Sequence, residues 1–379
     1  MLSFFSKRRS ISDNAHKFIQ NISILIEKDI QSDTYDIDKV RLEVSKFLDE
    51  VKNILLRAES EQSKSRGLES VPEGETVSES SGSSSADKEA ATEVTSIAGE
   101  TDFLLLLAQG MHELDFEARK DAAQVFNNIL RRCETQRLHT SLKAAGSPVK
   151  PTALDRIANT PQILEALIKG YEHTETALPC GSMLRECIRY ETLAEMLLYS
   201  DLFGLFLGYI ESNNFDVASD AFSSFKDLLT KHKQVVAKYL QSNYDQVMNQ
   251  YFRQLLQSSN YVTRRQSLRL LSSLLTERTN LPIMRQYISE THNLKIVMNL
   301  LLDRSKSIQF EAFQIFKIFV ANPSKPKDIE DILWKNKEQL VKFLDHFHED
   351  RADEQFQEDR KMIIEEIRNC IGKESFSSE

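Results

Sequence analysis

A hydrophobic pattern with helical spacing recurs five times along the chain. In each copy, a small residue is followed by apolar or small residues at the first, fourth, seventh and eighth positions after it, which places them on one face of an α-helix. The copies begin at Ala122, Cys180, Ala221, Ser267 and Ala312. These starts are 58, 41, 46 and 45 residues apart, and periods in the forties are typical of armadillo and HEAT arrays. The pattern therefore predicts an all-α helical-repeat solenoid, a class that mainly holds other molecules on a long curved surface.

The pattern also predicts how the chain is divided. Residues 1–58 carry two apolar helical stripes, which indicates an N-terminal hairpin that caps the array. Residues 59–87 include a serine-rich run and contain no aromatic residue, so they bury too little apolar surface to offset their ordering entropy. We expect a disordered insertion there, a repeat domain over residues 88–371 and a flexible tail over residues 372–379.

Charge and hydropathy narrow the class of partner. The 379 residues carry a formal net charge of −9, whereas nucleic-acid binders are more often basic, so no nucleic-acid partner is expected. The longest clean apolar run, residues 103–108, is far shorter than the ~20 residues that span a bilayer. We expect a cytoplasmic protein without integral membrane association.

The sequence contains no recognisable catalytic, cofactor or metal motif. It lacks a glycine-rich phosphate loop, a GxSxG elbow, an HExxH pair and a kinase catalytic loop, each of which has a defined chemical role. The acidic run at residues 33–38 lacks the glycine and terminal glutamate of a calcium loop. The cysteines form no CxxC pair and are expected to be reduced core residues: Cys133, Cys180, Cys187 and Cys370. We therefore expect a protein without enzymatic activity, cofactor or bound metal.

One polar stripe has the composition of a binding surface. Tyr261, Arg265 and Arg269 are spaced by four residues and share one face of a predicted helix, while the apolar residues of the repeat occupy another face. Tyrosine and arginine are enriched in binding hot spots. The same side chains could instead be ordinary solvated charges or partners in salt bridges within the array. Further basic residues nearby, among them Arg278, suit an acidic or kinase-like protein partner.

A second candidate site lies further along the chain. Phe310 is on a stripe next to the core stripe of its helix, and Met298 and Lys335 come from the flanking helices. Together they could edge an apolar groove that admits a short aromatic peptide. The alternative is that these residues belong to the core.

Several sequence blocks resemble a known family, the mouse-protein-25 family, also called calcium-binding protein 39. The blocks include FEARKD at 116–121, NNILRR at 127–132, MLRECIR at 183–189, NYVTRRQSL at 260–268 and IQFEAF at 308–313. They are longer than helical patterning alone requires. The resemblance covers roughly residues 100–370 and is weak over the first 60 residues.

The resemblance implies a horseshoe of armadillo-like repeats that acts as a scaffold in signal transduction and cell polarity. Members bind STRAD-type pseudokinases and germinal-centre-type protein kinases and hold them in the active, closed conformation. The concave positions that contact the kinase correspond to Phe215, Tyr261, Arg265, Arg269 and Arg278. A pocket for a C-terminal Trp-Glu-Phe peptide corresponds to the region of Met298 and Lys335. The calcium in the family name has no support here, since the sequence has no calcium loop.

The rival hypothesis is a helical-repeat adaptor for an unrelated protein cargo. In that case the stripe of Tyr261, Arg265 and Arg269 would bind acidic linear motifs instead of a kinase lobe.

Overall fold

The computed structural model of the chain describes residues 10–27, 36–67, 81–140 and 150–370. Over these ranges the chain is helical and contains no strand, so the all-α prediction is confirmed. The chain forms two compact units, Met1–Lys231 and His232–Glu379.

In the first unit, helices that carry copies of the repeat pack against one another in chain order. Its helices are α1 (Ile11–Ile26), α2 (Ile37–Gly67), α3 (Ser81–Glu100), α4 (Phe103–Gln109), α5 (Phe116–Thr140), α6 (Ala153–Asn159), α7 (Gln162–Lys169), α8 (Thr174–Ile188), α9 (Glu191–Leu198), α10 (Leu205–Ile210) and α11 (Phe215–Thr230). Helix α2, which precedes the first copy, packs on α5, α5 on α8 and α8 on α11. Helix α1 comes before these four in the chain, and the remaining helices lie between them.

In the second unit, helices that carry copies of the repeat also pack on one another. It contains α12 (Lys233–Ser242), a π-helical segment (Asp245–Phe252), α13 (Arg253–Leu256), α14 (Tyr261–Thr276), α15 (Leu281–Ser289), α16 (Thr291–Leu301), α17 (Lys306–Ala321), α18 (Lys327–Lys335), α19 (Lys337–Asp345) and α20 (Glu354–Asn369). Helix α14 packs on α17, and α17 packs on α20. The last two copies of the repeat lie on α14 and α17.

The positions that define the repeat form the core. All five starting residues are fully buried, and so are almost all of the apolar residues that follow them. Burial of each such side chain stabilises the fold by about 1.5–3 kcal/mol. The four cysteines are buried, as predicted. The repeat in the sequence is therefore the contact surface between successive helices.

Capping side chains fix where the repeat helices begin. The Asn214 side chain accepts hydrogen bonds from the backbone N–H groups at the start of α11, and Asn260 does the same for α14. Such caps satisfy donors that have no partner within the helix. The next residue is then the first residue of the helix and points away from the core: Phe215 is 65% exposed and Tyr261 is 41% exposed.

An acidic residue directly before the repeat start lies between successive helices in three copies. Asp121 Oδ1 is 2.7 Å from Lys52 Nζ of α2, and Asp220 Oδ2 is 2.7 Å from Arg185 Nη1 of α8. Glu311 has the corresponding position in α17. The three carboxylate side chains are buried to a similar degree, with 14%, 16% and 13% exposed respectively.

The structure differs from the expected disorder at residues 59–87. Helix α2 continues to Gly67 and α3 begins at Ser81, so residues 59–67 and 81–87 are helical. For residues 59–67 the reason is composition: residues 57–66 consist mainly of alanine, arginine, glutamate, glutamine and lysine, with serines between them, and these five residue types are strong helix formers even without an apolar face. Residues 68–80, and the predicted tail at 372–379, lie outside the described residues.

The predicted N-terminal hairpin is present as α1 packed on α2. It shares its core with the helices that follow, since the Phe18 ring lies 4.9 Å from Phe47 and 5.0 Å from Phe103 of α4. The compact unit that contains the hairpin extends to Lys231.

Among the described residues, no single helix is long and apolar enough to cross a membrane. One pair, Glu191–Leu198 with Asp201–Ile210, reaches that length and apolarity only together, across a bend of 74°.

Candidate protein-binding surface

Helix α14 separates its core face from a polar stripe. Leu268, Leu271 and Leu275 are buried, whereas Tyr261, Arg265 and Arg269, called the α14 stripe below, are accessible. The Arg265 side chain is 42% exposed and that of Arg269 is 58% exposed. The helical spacing therefore places the three side chains where a partner can reach them.

Both arginines face one buried carboxylate. Glu311 Oε1 lies 3.7 Å from Arg269 Nε and 4.0 Å from Arg265 Nε. Burial raises the pKa of Glu311, and the positive charges of Arg269 and Arg265 act against that rise. Salt bridges within the array, the alternative suggested by the sequence, are thus present. They are too long to be hydrogen bonds, so they leave the two arginines able to bind another group.

Tyr261 is held at the start of the next repeat helix. Hydrogen bonds to Ser307 and Ser305 lower the pKa of its hydroxyl group, with a smaller contribution from the positive charge of Arg265. The hydroxyl group therefore lies beside the start of α17, and the tyrosine is exposed to solvent.

A cleft of about 390 Å³ extends from the α14 stripe and is called the arginine cleft below. It is lined by Arg265, Lys306, Ser307, Phe310, Glu311, His348, Asp350 and Arg351. The Arg351 guanidinium lies 3.7 Å from the centre of the Phe310 ring, which is the geometry of a cation–π contact. The Phe310 ring is 5.7 Å from Phe356 of α20.

Phe310 was expected to border a peptide groove with Met298 and Lys335. The contacts described above instead put it on the side of α17 that faces α14 and α20, beside Arg265 and Arg351. Arg351 was missed by sequence reasoning because it follows α19, about 40 residues after Phe310 in the chain. No spacing pattern connects two residues so far apart.

Met298 and Lys335 lie on helices that pack against each other, α16 and α18. Met298 is half-buried and Lys335 is exposed in the last turn of its helix. A second cavity of about 800 Å³ lies between the start of α17 and α19, with Phe343 and Phe347 among its lining residues. The remaining lining residues are Lys306, Gln309, Gln339, Lys342, His346, His348, Glu349 and Asp350.

The two other predicted contact residues are also exposed. Arg278 lies in the short 3₁₀ turn Arg278–Asn280 after α14. The residue before it, Glu277, pairs with Lys233 at 2.7 Å. Phe215 is the first residue of α11 and belongs to the first unit.

Within the described ranges, no group of three or more histidine, cysteine, aspartate or glutamate side chains is arranged to hold a metal ion.

The chain is similar to proteins of one family. The Mo25-like family model matches residues 3–370, so the similarity includes the N-terminal helices, where the sequence blocks gave only a weak match. Calcium-binding protein 39-like from Homo sapiens is 42% identical over 370 residues, 97% of each chain. Its counterpart from Mus musculus is 46% identical over 288 residues, covering 75% of this chain and 81% of the relative. MO25-like protein 2 from Caenorhabditis elegans is 47% identical over 280 residues, with coverages of 73% and 79%.

Proposed function

The chain belongs to the Mo25-like family, a family of scaffolds, and we propose that it binds and allosterically activates a protein kinase or pseudokinase. The partner would be of the STRAD type or the germinal-centre type. The chain itself would contribute no catalytic group. The proposal includes a cytoplasmic location, where such partners act.

The observation that carries the proposal is the α14 stripe. Tyr261, Arg265 and Arg269 are accessible, lie beside residues of α17, and are separate from the buried leucines of the same helix. A tyrosine with two arginines on one helix face has the composition of a binding hot spot for a protein partner.

The proposed mechanism is a shift of a conformational equilibrium. A kinase that alternates between open and closed forms is activated by a surface that binds the closed form better. The shift cannot exceed the difference between the two binding free energies. A difference of about 3 kcal/mol gives a shift of roughly a hundredfold.

The double substitution Arg265→Ala with Arg269→Ala tests this proposal. We expect kinase activation in a reconstituted assay to fall by at least about tenfold, because both charge-assisted contacts are lost. Arg189→Ala is the matched control: its side chain is 43% exposed, like that of Arg265, but it pairs with Glu186 at 2.7 Å in the first unit. Full activation by the double variant would refute the kinase assignment and favour the cargo-adaptor hypothesis. Affinity purification with mass spectrometry would then identify the cargo.

We further propose that the region of Met298 and Lys335 captures the C-terminal Trp-Glu-Phe-like peptide of a partner. The cavity between α17 and α19, which has two phenylalanines in its lining, is large enough to hold an aromatic side chain of the peptide. Met298→Ala should weaken binding of such a peptide by about 1–3 kcal/mol, as expected for loss of a partly buried apolar contact. Calorimetry with the isolated peptide measures this, and an unchanged affinity would place the peptide elsewhere.

A further inference from the structure

The three equivalent carboxylates differ in how closely their cations approach. Asp121 and Asp220 each have a cation at 2.7 Å, whereas the cations of Glu311 stay at 3.7 and 4.0 Å. The buried Nε atom of Arg265 has no hydrogen-bond partner. A buried N–H group without an acceptor costs free energy. The α14 stripe therefore contains an unsatisfied donor, whereas the cations that bind Asp121 and Asp220 do not.

The arginine cleft has more cations than its carboxylates neutralise. Arg265, Lys306 and Arg351 line it, as do Glu311 and Asp350, while Arg269 lies beside Glu311 and Asp353 lies beside Arg351. Asp350 is bound to Lys306 at 2.7 Å, and Asp353 lies 3.4 Å from Arg351 and also caps α20. Glu311 is thus the only one of these three that faces both arginines of α14, and it binds neither of them closely.

We propose that the arginine cleft binds a phosphate monoester, the phosphorylated serine or threonine side chain of a protein partner. This deepens the proposed function, on which it rests, by naming the group that the partner presents to Arg265 and Arg269. The partner would then be recognised in its phosphorylated state.

The donors around the cleft suit a phosphate better than a carboxylate. Each guanidinium presents a planar fork of N–H groups that can bind two phosphate oxygens, and the Ser307 hydroxyl is a further donor beside them. A phosphate monoester carries about 1.5–2 negative charges at pH 7 and three acceptor oxygens, so it can satisfy two arginines at once. Ser307 also lies in the first turn of α17, a helix of 16 residues whose N-terminal end favours a negative charge.

Nuclear magnetic resonance of the arginine Nε–H groups in the full chain tests the proposal. The probes are O-phospho-L-serine, L-serine without the phosphate, and L-glutamate as a carboxylate of similar size. We expect saturable shifts of the Arg265 and Arg351 signals with O-phospho-L-serine, no shift with L-serine, and at least about tenfold weaker binding of L-glutamate.

Two variants at exposed positions locate the binding. Arg269→Gln and Lys306→Gln should each weaken O-phospho-L-serine binding by about tenfold, as expected for loss of one charge-assisted contact, while Arg189→Gln in the first unit should have no effect. Equal affinities for O-phospho-L-serine and L-glutamate, or unchanged binding by both cleft variants, would overturn the proposal. If that happens while Arg265→Ala with Arg269→Ala still abolishes kinase activation, only the phosphate inference fails and the proposed function stands.

Discussion

The α8–α11 junction of the first unit and the α14–α17 junction of the second have the same carboxylate position but different surroundings. Asp220 is bound by Arg185, which is 25% exposed, and by the hydroxyl group of the buried Tyr171 at 2.7 Å. Glu311 has a similar burial, but its nearest cation is the more exposed Arg269 at 3.7 Å. Tyr171 and Arg185 both donate to Oδ2 of the first carboxylate, whereas the second receives no hydrogen bond from its two arginines, which stay accessible.

This difference separates two uses of a buried charge. A buried carboxylate with close hydrogen-bond donors from both helices joins them, and removing one member of the network weakens the pairing of the others. A buried carboxylate with distant cations does little to hold the helices together and leaves the arginines accessible to solvent. The same repeat position therefore serves packing in one unit and, we propose, binding in the other.

The largest expected effect is on stability at the first junction. Asp220→Ala should lower the free energy of unfolding by about 3–5 kcal/mol, because it leaves the Arg185 charge without its carboxylate and leaves the Ser224 hydroxyl as the remaining side-chain partner of Arg185 and Tyr171. Glu311→Ala should cost about 1 kcal/mol or less, since the arginines it leaves are already exposed. Urea denaturation followed by circular dichroism compares the two variants. Equal losses would show that the two junctions do not differ in the way described.

A smaller loss of stability is expected from a substitution at Gly181, which lies next to the Asp220 network. A Cβ atom at Gly181 would collide with the Asp220 carboxylate and the Tyr171 hydroxyl group. Gly181→Ala should therefore destabilise the protein by about 1–3 kcal/mol.

Gly208 of α10 provides the control, because a Cβ atom there meets nothing within 4 Å. Gly208→Ala should be neutral or should stabilise the protein by about 0.5–1 kcal/mol, as alanine is the better helix former. The prediction fails if thermal denaturation shows the same melting temperature for both variants.

The smallest expected effect is on the pH dependence of folding stability. Because burial raises the pKa of Glu311 in the folded protein, the folded state binds this proton more tightly than the unfolded state does. The stability from this group is thus complete below the ordinary glutamate pKa of about 4.3 and is lost as the pH rises through the higher folded value. Glu311→Gln, which cannot ionise, should match the wild type near pH 4 and be slightly more stable at pH 7. Asp220→Asn should be less stable than the wild type at pH 7, and denaturation at both pH values checks the contrast.

The sequence alone was sufficient to predict features that depend on residues close together in the chain. The buried positions of the repeat follow from spacing along one helix, and the starts of α11 and α14 follow from Asn214 and Asn260, whose side chains bind the next backbone N–H groups. The exposed positions of Tyr261, Arg265 and Arg269 follow from the same spacing.

Features that depend on tertiary contacts could not be predicted from the sequence. The arginine cleft needs Arg351, which reaches Phe310 only because α20 packs on α17. Phe310 was consequently expected in a groove with Met298 and Lys335. The helical ends of the serine-rich segment were also missed, because low apolar content argues against a core but not against an exposed helix.

The capped helix starts affect which substitutions such a repeat array can accept during evolution. In α11 and α14 the asparagine, not the residue after it, sets the first turn. Phe116 of α5 has the same relation to Asp115, whose side chain accepts from the backbone N–H of Ala118, and it is as exposed as Phe215. The position after the cap is therefore not needed to begin the helix, and at Phe116 and Phe215, which are 65% exposed, it can accept substitutions at little cost in stability. A lineage can alter its partners at such positions while the buried contacts between helices stay the same.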